Sequence, residues 1–295
     1  MNAAILVLGD LNRSPRMLNH SKAIATLFPD INEVSLIGYN GGDLRYDISN
    51  DQKIKTYHIS DRINQFFKTM PRFLFIVAAA IKIIYQIISL TWILLFSIPR
   101  PKFLILQNPP GIPAIYICSI ICFIRRTTFI IDWHNYGYSI LQVNKRNRIL
   151  VTVAGFYESF YGKCAKMNFC VSDKMRQHLK ESMGIDAIAL PDLAMPNVFR
   201  LLTIEESHDF FNKYRKQFPP STDDSNLFTE MNKDYVVSSK RNRPMLMLSS
   251  TSWTPDEDFN LLLDAFISCE KKLKTLETNP PRVIFIITGI MYKLN

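Results

Sequence analysis

The residues best equipped for chemistry stand together in TFIIDWHNYGYS, Thr128 to Ser139. A β-branched and aromatic run ends in Asp132, and His134, Asn135, Tyr136 and Tyr138 follow at once. An imidazole titrates near neutral pH and can take a proton from a hydroxyl, while a carboxylate can orient it or act itself. A histidine after a strand is often only a hydrogen-bonded structural residue. The crowding of polar groups here argues for a site.

A second candidate is the loop GDLNRSPR, Gly9 to Arg16. It has one glycine where a dinucleotide fingerprint requires G-x-G-x-x-G, which argues against NAD or FAD. Arg13, Arg16 and the start of a helix suit a phosphate or diphosphate instead, unless the arginines are merely solvated. Ser14 before Pro15 has the form of an N-cap and first helical residue. A third candidate is Ser249 to Pro255, where Ser252, Trp253 and Thr254 lie on a strand-to-helix loop. Hydroxyls and backbone amides there could bind a diphosphate, although Thr254 also reads as an ordinary helix cap.

The elements that must position these residues follow from apolar periodicity. Strands are expected at 3–9, 34–39, 55–59, 102–107, 128–132, 168–172 and 187–190. Helices fall between them at about 14–28, 146–164 and 173–183, and another follows the turn Asn108 to Pro113. Gly184 reads as a C-cap. This alternation predicts an α/β doubly wound parallel sheet, with ligands at the carboxyl ends of its strands. Residues 1–200 form the first domain. Residues 201–243 read as a linker region with one helix, at 204–218, and a polar run from Pro219 to Ser225. From 244 to 295 the pattern restarts, with strands at 245–248 and 283–287 and a helix at 256–273. One such unit is an incomplete second Rossmann-like domain.

The most hydrophobic segment is Phe73 to Ile98. As a helix it extends about 39 Å, enough for a hydrocarbon core of roughly 30 Å. Lys82, Gln86 and Ser89 form a narrow polar stripe at helical spacing, and basic residues flank both ends. Crossing a bilayer would also divide the strands of one sheet between two compartments. The expectation is therefore a helix lying in the membrane interface, with Trp92 near the headgroups; a long buried core helix is the alternative. The net charge of +9 favours an anionic partner. No nucleic-acid-binding motif is present. Five cysteines, an odd number in apolar stretches, predict buried reduced thiols with no disulfide and no metal site.

GDLNRSPRM, LQNPPGIPA, IIDWHNYGYSI and SSTSWTPDEDFNLLLDA resemble the chitobiosyldiphosphodolichol β-mannosyltransferases of glycosyltransferase family 33, over about residues 3 to 289. The resemblance implies a GT-B fold, membership of the N-glycosylation pathway and a place on the cytosolic face of the endoplasmic reticulum membrane. It also implies transfer of the first mannose from GDP-mannose to GlcNAc2-diphosphodolichol, with inversion and formation of a β-1,4 bond. No further cofactor is implied. On this reading Asp10, Asp132 or His134 is the base. Arg13, Ser14, Arg16, Asn135 and Tyr136 face the acceptor, and Ser252, Trp253 and Thr254 touch the donor diphosphate. The family's N-terminal anchor and its E-x7-E donor segment are missing, and its pattern ends at Thr288-Gly289. An incomplete transferase is expected. The alternative is an inactive membrane-associated fragment that holds dolichol-linked acceptor or partner glycosyltransferases.

Overall fold

A computed structural model of the chain describes residues 1–60, 75–143, 147–193, 200–220, 225–251, 258–275 and 281–289. It divides into two compact units, Met1–Leu193 and Ala194–Asn295.

The first unit is built on seven parallel strands: β1 (Asn2–Asp10), β2 (Glu33–Tyr39), β3 (Ile54–Ile59), β4 (Phe103–Asn108), β5 (Thr128–Trp133), β6 (Met167–Cys170) and β7 (Ile188–Ala189). Their spatial order is β3-β2-β1-β4-β5-β6-β7, the doubly wound order that reverses between β1 and β4. Residues alternate between the two faces of each strand. In β1, Ala4, Leu6 and Leu8 join one apolar core while Ala3, Ile5 and Val7 join the other. Both faces of β1 are buried, which explains its unbroken apolar sequence.

One face is covered by α1 (Pro15–Leu27), which contributes Met17, Leu18 and Ile24 to the core. The one-turn helix α2 (Tyr46–Ser49), not expected from the sequence, adds Ile48 on that face. The other face is covered by α3 (Phe75–Trp92), which continues as a π-helical turn to Ser97, and by α4 (Ala114–Ile124). Then follow α5 (Gly137–Val143), α6 (Arg148–Gly162) and α7 (Asp173–His178), the last continuing as a π-helical turn to Met183. Gly184 closes that turn at φ 65°, a left-handed conformation that favours glycine.

The long apolar helix departs from expectation in one respect. Its polar stripe is split: Lys82 is exposed, whereas Gln86 is buried and its Nε2 donates to the Tyr39 hydroxyl at 2.9 Å. Leu90, Ile93, Leu94 and Ile98 sit in the sheet core. By length and composition Ala80–Ser97 could cross a membrane. However, β1 before it pairs directly with β4 after it, Ala3 opposite Phe103. Both ends of α3 are therefore on one side of any bilayer.

The cysteines match expectation in part. All five are free, and Cys118, Cys122 and Cys170 are buried, but Cys164 and Cys269 are exposed.

In the second unit, α8 (Ile204–Lys213) starts with a capping box between Thr203 and Glu206. It is shorter than expected and is followed by a hairpin of β8 (Thr229–Met231) and β9 (Val237–Ser239), in a stretch expected to hold only one helix. Phe211 stacks on Phe228 at 4.2 Å. β10 (Met245–Thr251) and β11 (Val283–Gly289) pair in parallel, and Phe266 of α9 (Phe259–Lys274) lies 4.2 Å from Phe285 of β11. Ser249 to Thr251, expected in a loop, belong to β10.

Candidate functional site

The carboxyl edge of β1 and β5 holds a buried charge network. Asp132, at the end of β5, is fully buried. It accepts from Arg16 Nε at 2.8 Å and Arg16 Nη2 at 3.0 Å, and it bonds His20 Nε2 at 2.8 Å. Arg16 Nη1 donates to Asp192 at 2.8 Å. His134 Nε2 lies 3.6 Å from the other oxygen of Asp192, and both residues are about half exposed.

Electrostatics explain how a bare carboxylate survives in the interior. Burial alone would raise the Asp132 carboxyl. Hydrogen bonds from His20 and Arg16, with the guanidinium charge, outweigh it and hold the group below its ordinary value. Burial likewise lowers the Arg16 guanidinium, and Asp132 and Asp192 more than restore it. An ionised Asp132 can only accept, so His20 Nε2 is the donor of their bond.

Arg16, expected to contact the acceptor diphosphate, is engaged with carboxylates in this structure. It is 7% exposed and each guanidinium nitrogen already donates to a carboxylate. Asp132 is likewise committed to three hydrogen bonds, which suits it to orient neighbours rather than to take a proton. Asp10 accepts from Asn12 N at 2.9 Å and caps the 3-10 turn Leu11–Arg13. The loop after β2 presses so closely that a Cβ on Gly41 would lie 2.0 Å from Asp10 Oδ2. Ser14 occupies the N-cap position of α1 but makes no side-chain cap; its buried hydroxyl donates to Asp10 O at 3.3 Å. Arg13 is exposed, 3.8 Å from Asp10.

Beyond β5, the exposed Asn135 accepts from the Tyr136 amide at 2.8 Å. Tyr136 packs between Tyr138 and His178 at 5.4 and 5.1 Å, and burial pushes its phenol up. Tyr138 OH bonds His178 Nε2 at 3.2 Å. Gly137 begins α5. Ser252, Trp253 and Thr254 lie outside the described residues.

Asp192, His20 and Glu158 escaped the sequence reading. His20 sits one helical turn after Arg16, and that i, i+4 spacing on one face was the available signal. Glu158 of α6 is 2% exposed and accepts from Asn108 Nδ2 at 3.1 Å and from the amides of Gly137 and Tyr138 at 2.9 and 3.3 Å. It thereby fixes the start of α5 to the end of β4. Burial raises its carboxyl despite these donors.

A parallel sheet in this order, with charged groups gathered at its carboxyl edge, is the Rossmann-like architecture of GT-B proteins. No family model matches the chain. It is 33% identical to the UDP-glycosyltransferase TURAN of Arabidopsis thaliana, over 97% of this chain and 66% of that protein. It is 33% identical to the chitobiosyldiphosphodolichol beta-mannosyltransferase of Mus musculus, over 97% of this chain and 59% of the relative. For the Homo sapiens protein of the same name the figures are 32%, 96% and 61%. Along 96–97% of its length the chain is similar to chitobiosyldiphosphodolichol beta-mannosyltransferases, at 32–33% identity. It spans about three fifths of the length of these relatives.

Proposed function

We propose that the protein transfers mannose from GDP-mannose to GlcNAc2-diphosphodolichol, forming a β-1,4 bond with inversion, at the cytosolic face of the endoplasmic reticulum membrane. The observation that carries this reading is the identity to named β-mannosyltransferases along nearly the whole chain. Inverting transfer is a single displacement. The acceptor hydroxyl oxygen attacks the anomeric carbon, its proton goes to a base, and GDP departs with the bonding electrons.

Among the candidates, His134 is the base in this reading, because its half-exposed imidazole at the strand edge can meet a substrate. Asp132, with Arg16 and His20, is the frame that positions it through Asp192. Arg13, exposed in the turn before α1, contacts the acceptor diphosphate, and Asn135 also faces the acceptor. The donor diphosphate falls to Ser252 to Thr254. α3 lies in the membrane interface, with its exposed side toward lipid. Other glycosyltransferases of the same pathway are candidate partners.

The test is incubation of the chain with radiolabelled GDP-mannose and chitobiosyl-diphosphate on a phytanyl carrier. The expected result is a labelled trisaccharide lipid. His134→Ala should lower kcat by roughly 10²–10⁴-fold with little change in acceptor KM. Acceptor binding with no transfer would replace this reading by that of an inactive acceptor-binding protein.

A further inference from the structure

The helical layer over one face of the sheet has an unusual outer surface. On α3, Ile84, Ile88, Trp92 and Phe96 recur every four residues and are 56%, 62%, 62% and 68% exposed. α4 adds Phe123 and Ile124, at 86% and 61%. α6 adds Ile149, Val153, Phe156 and Phe160, from 55% to 73%. The three helices are joined side by side. Arg125 at the end of α4 donates to Leu94 O and Ile98 O after α3. Tyr157 OH of α6 bonds the Tyr116 amide of α4 at 3.1 Å, and Tyr116 and Tyr161 stack edge-on at 5.2 Å.

The five exposed Trp and Phe rings alone present on the order of 600–700 Å², more than the largest patch of an ordinary soluble monomer, about 300–600 Å². Charge identifies the occupant. The three helices carry one acid, Glu158, and it is buried. Exposed cations rim the layer: Lys82 and Arg148 toward one end, Arg100, Arg126 and Lys163 toward the other. An apolar, acid-free surface with tryptophan, tyrosine and a basic margin complements an anionic bilayer interface.

We propose that α3, α4 and α6 together form a bilayer-docking surface for anionic lipid, entered to headgroup depth and crossed by none of the three. This extends the interfacial reading of α3 to two further helices. It does not depend on mannose transfer, because its readout is lipid binding.

The test is sedimentation of the chain with vesicles of phosphatidylcholine containing phosphatidylserine. The chain should partition strongly, and less so as salt rises. Phe123→Glu with Phe156→Glu should weaken partitioning roughly tenfold or more. Leu27→Glu, an exposed site on α1 across the sheet, should leave it unchanged. Circular dichroism on each variant checks folding, and the milder Phe123→Ser with Phe156→Ser should give the same ordering. The proposal is overturned if the double variants bind like the parent, or if only Ile88→Glu and Trp92→Glu matter, which would make α3 the sole contact. It is also overturned if lipid-free chain is a dimer that these substitutions dissociate without affecting vesicle binding.

Discussion

Replacing Asp132 by asparagine isolates the electrostatic centre of the fold. The amide keeps the size and one acceptor oxygen but removes the charge that faces Arg16 and His20. Arg16 would then remain 7% exposed with only the half-exposed Asp192 as a counter-charge. Removing one partner of a buried ion pair costs about 3–5 kcal/mol, and the surviving exposed pair offsets roughly 0–1 kcal/mol. A loss of about 3 kcal/mol is therefore expected, within the roughly 5–15 kcal/mol of a typical domain.

The pH dependence has a definite sign. The folded carboxyl lies below the ordinary 3.8, so its contribution is fully present above that value and disappears as pH falls through the folded pKa. Parent and Asp132→Asn stabilities should differ by a constant amount near neutrality and converge in acid. Urea unfolding read from the buried Trp133, with Trp92 and Trp253 replaced by phenylalanine, measures both. Replacing both partners, Arg16→Met with Asp132→Leu, should cost much less than the single change. A loss below about 1 kcal/mol for Asp132→Asn, or a difference independent of acid, would refute the assignment of Asp132 as the ionised centre of the network.

Glu158→Ala leaves three donors, the buried Asn108 amide and the part-buried Gly137 and Tyr138 N–H groups, without their acceptor and should destabilise the first unit by about 1–3 kcal/mol in chemical denaturation. The raised Glu158 carboxyl makes the folded state hold its proton above the ordinary 4.5, so stability declines as pH rises from 4.5 through the folded value; Glu158→Gln should flatten that decline. Gly162→Ala places a Cβ 2.8 Å from both Ile185 Cδ1 and Trp133 Cζ2, and a thermal melt should report a loss of about 1–3 kcal/mol from overpacking.

Legibility in the sequence followed the range of the physics. The strands of the sheet announce themselves because a strand buried on both faces needs a continuous apolar run, as in Ala3 to Leu8. The place of Asp132 at a strand end was equally local. Its partner was not, since Arg16 is 116 residues away and its burial depends on how α1 lies against the sheet. Glu158 is one acid in an apolar helix, and nothing nearby tells a solvated carboxylate from one that anchors a neighbouring helix. Within the Lys82, Gln86, Ser89 stripe the burial of Gln86 was not legible, because its partner Tyr39 is on a strand far earlier in the chain. The β8–β9 hairpin was missed because three-residue strands have too little periodicity to register.

The pairing of β1 with β4 also sets an order of events during synthesis. At about 5–20 residues per second, the ribosome delivers β4 roughly 5–20 s after β1. α3 is complete before the strand that closes the sheet beneath it exists. Throughout that interval its inner residues, Leu90 and Leu94 among them, have no core to enter. A nascent chain beside a membrane can shelter this helix on the lipid surface and later roll its inner side onto β1 and β4. A chain released into bulk solvent must pass the same interval with both sides of the helix in water, where long-range pairing is slow and aggregation competes.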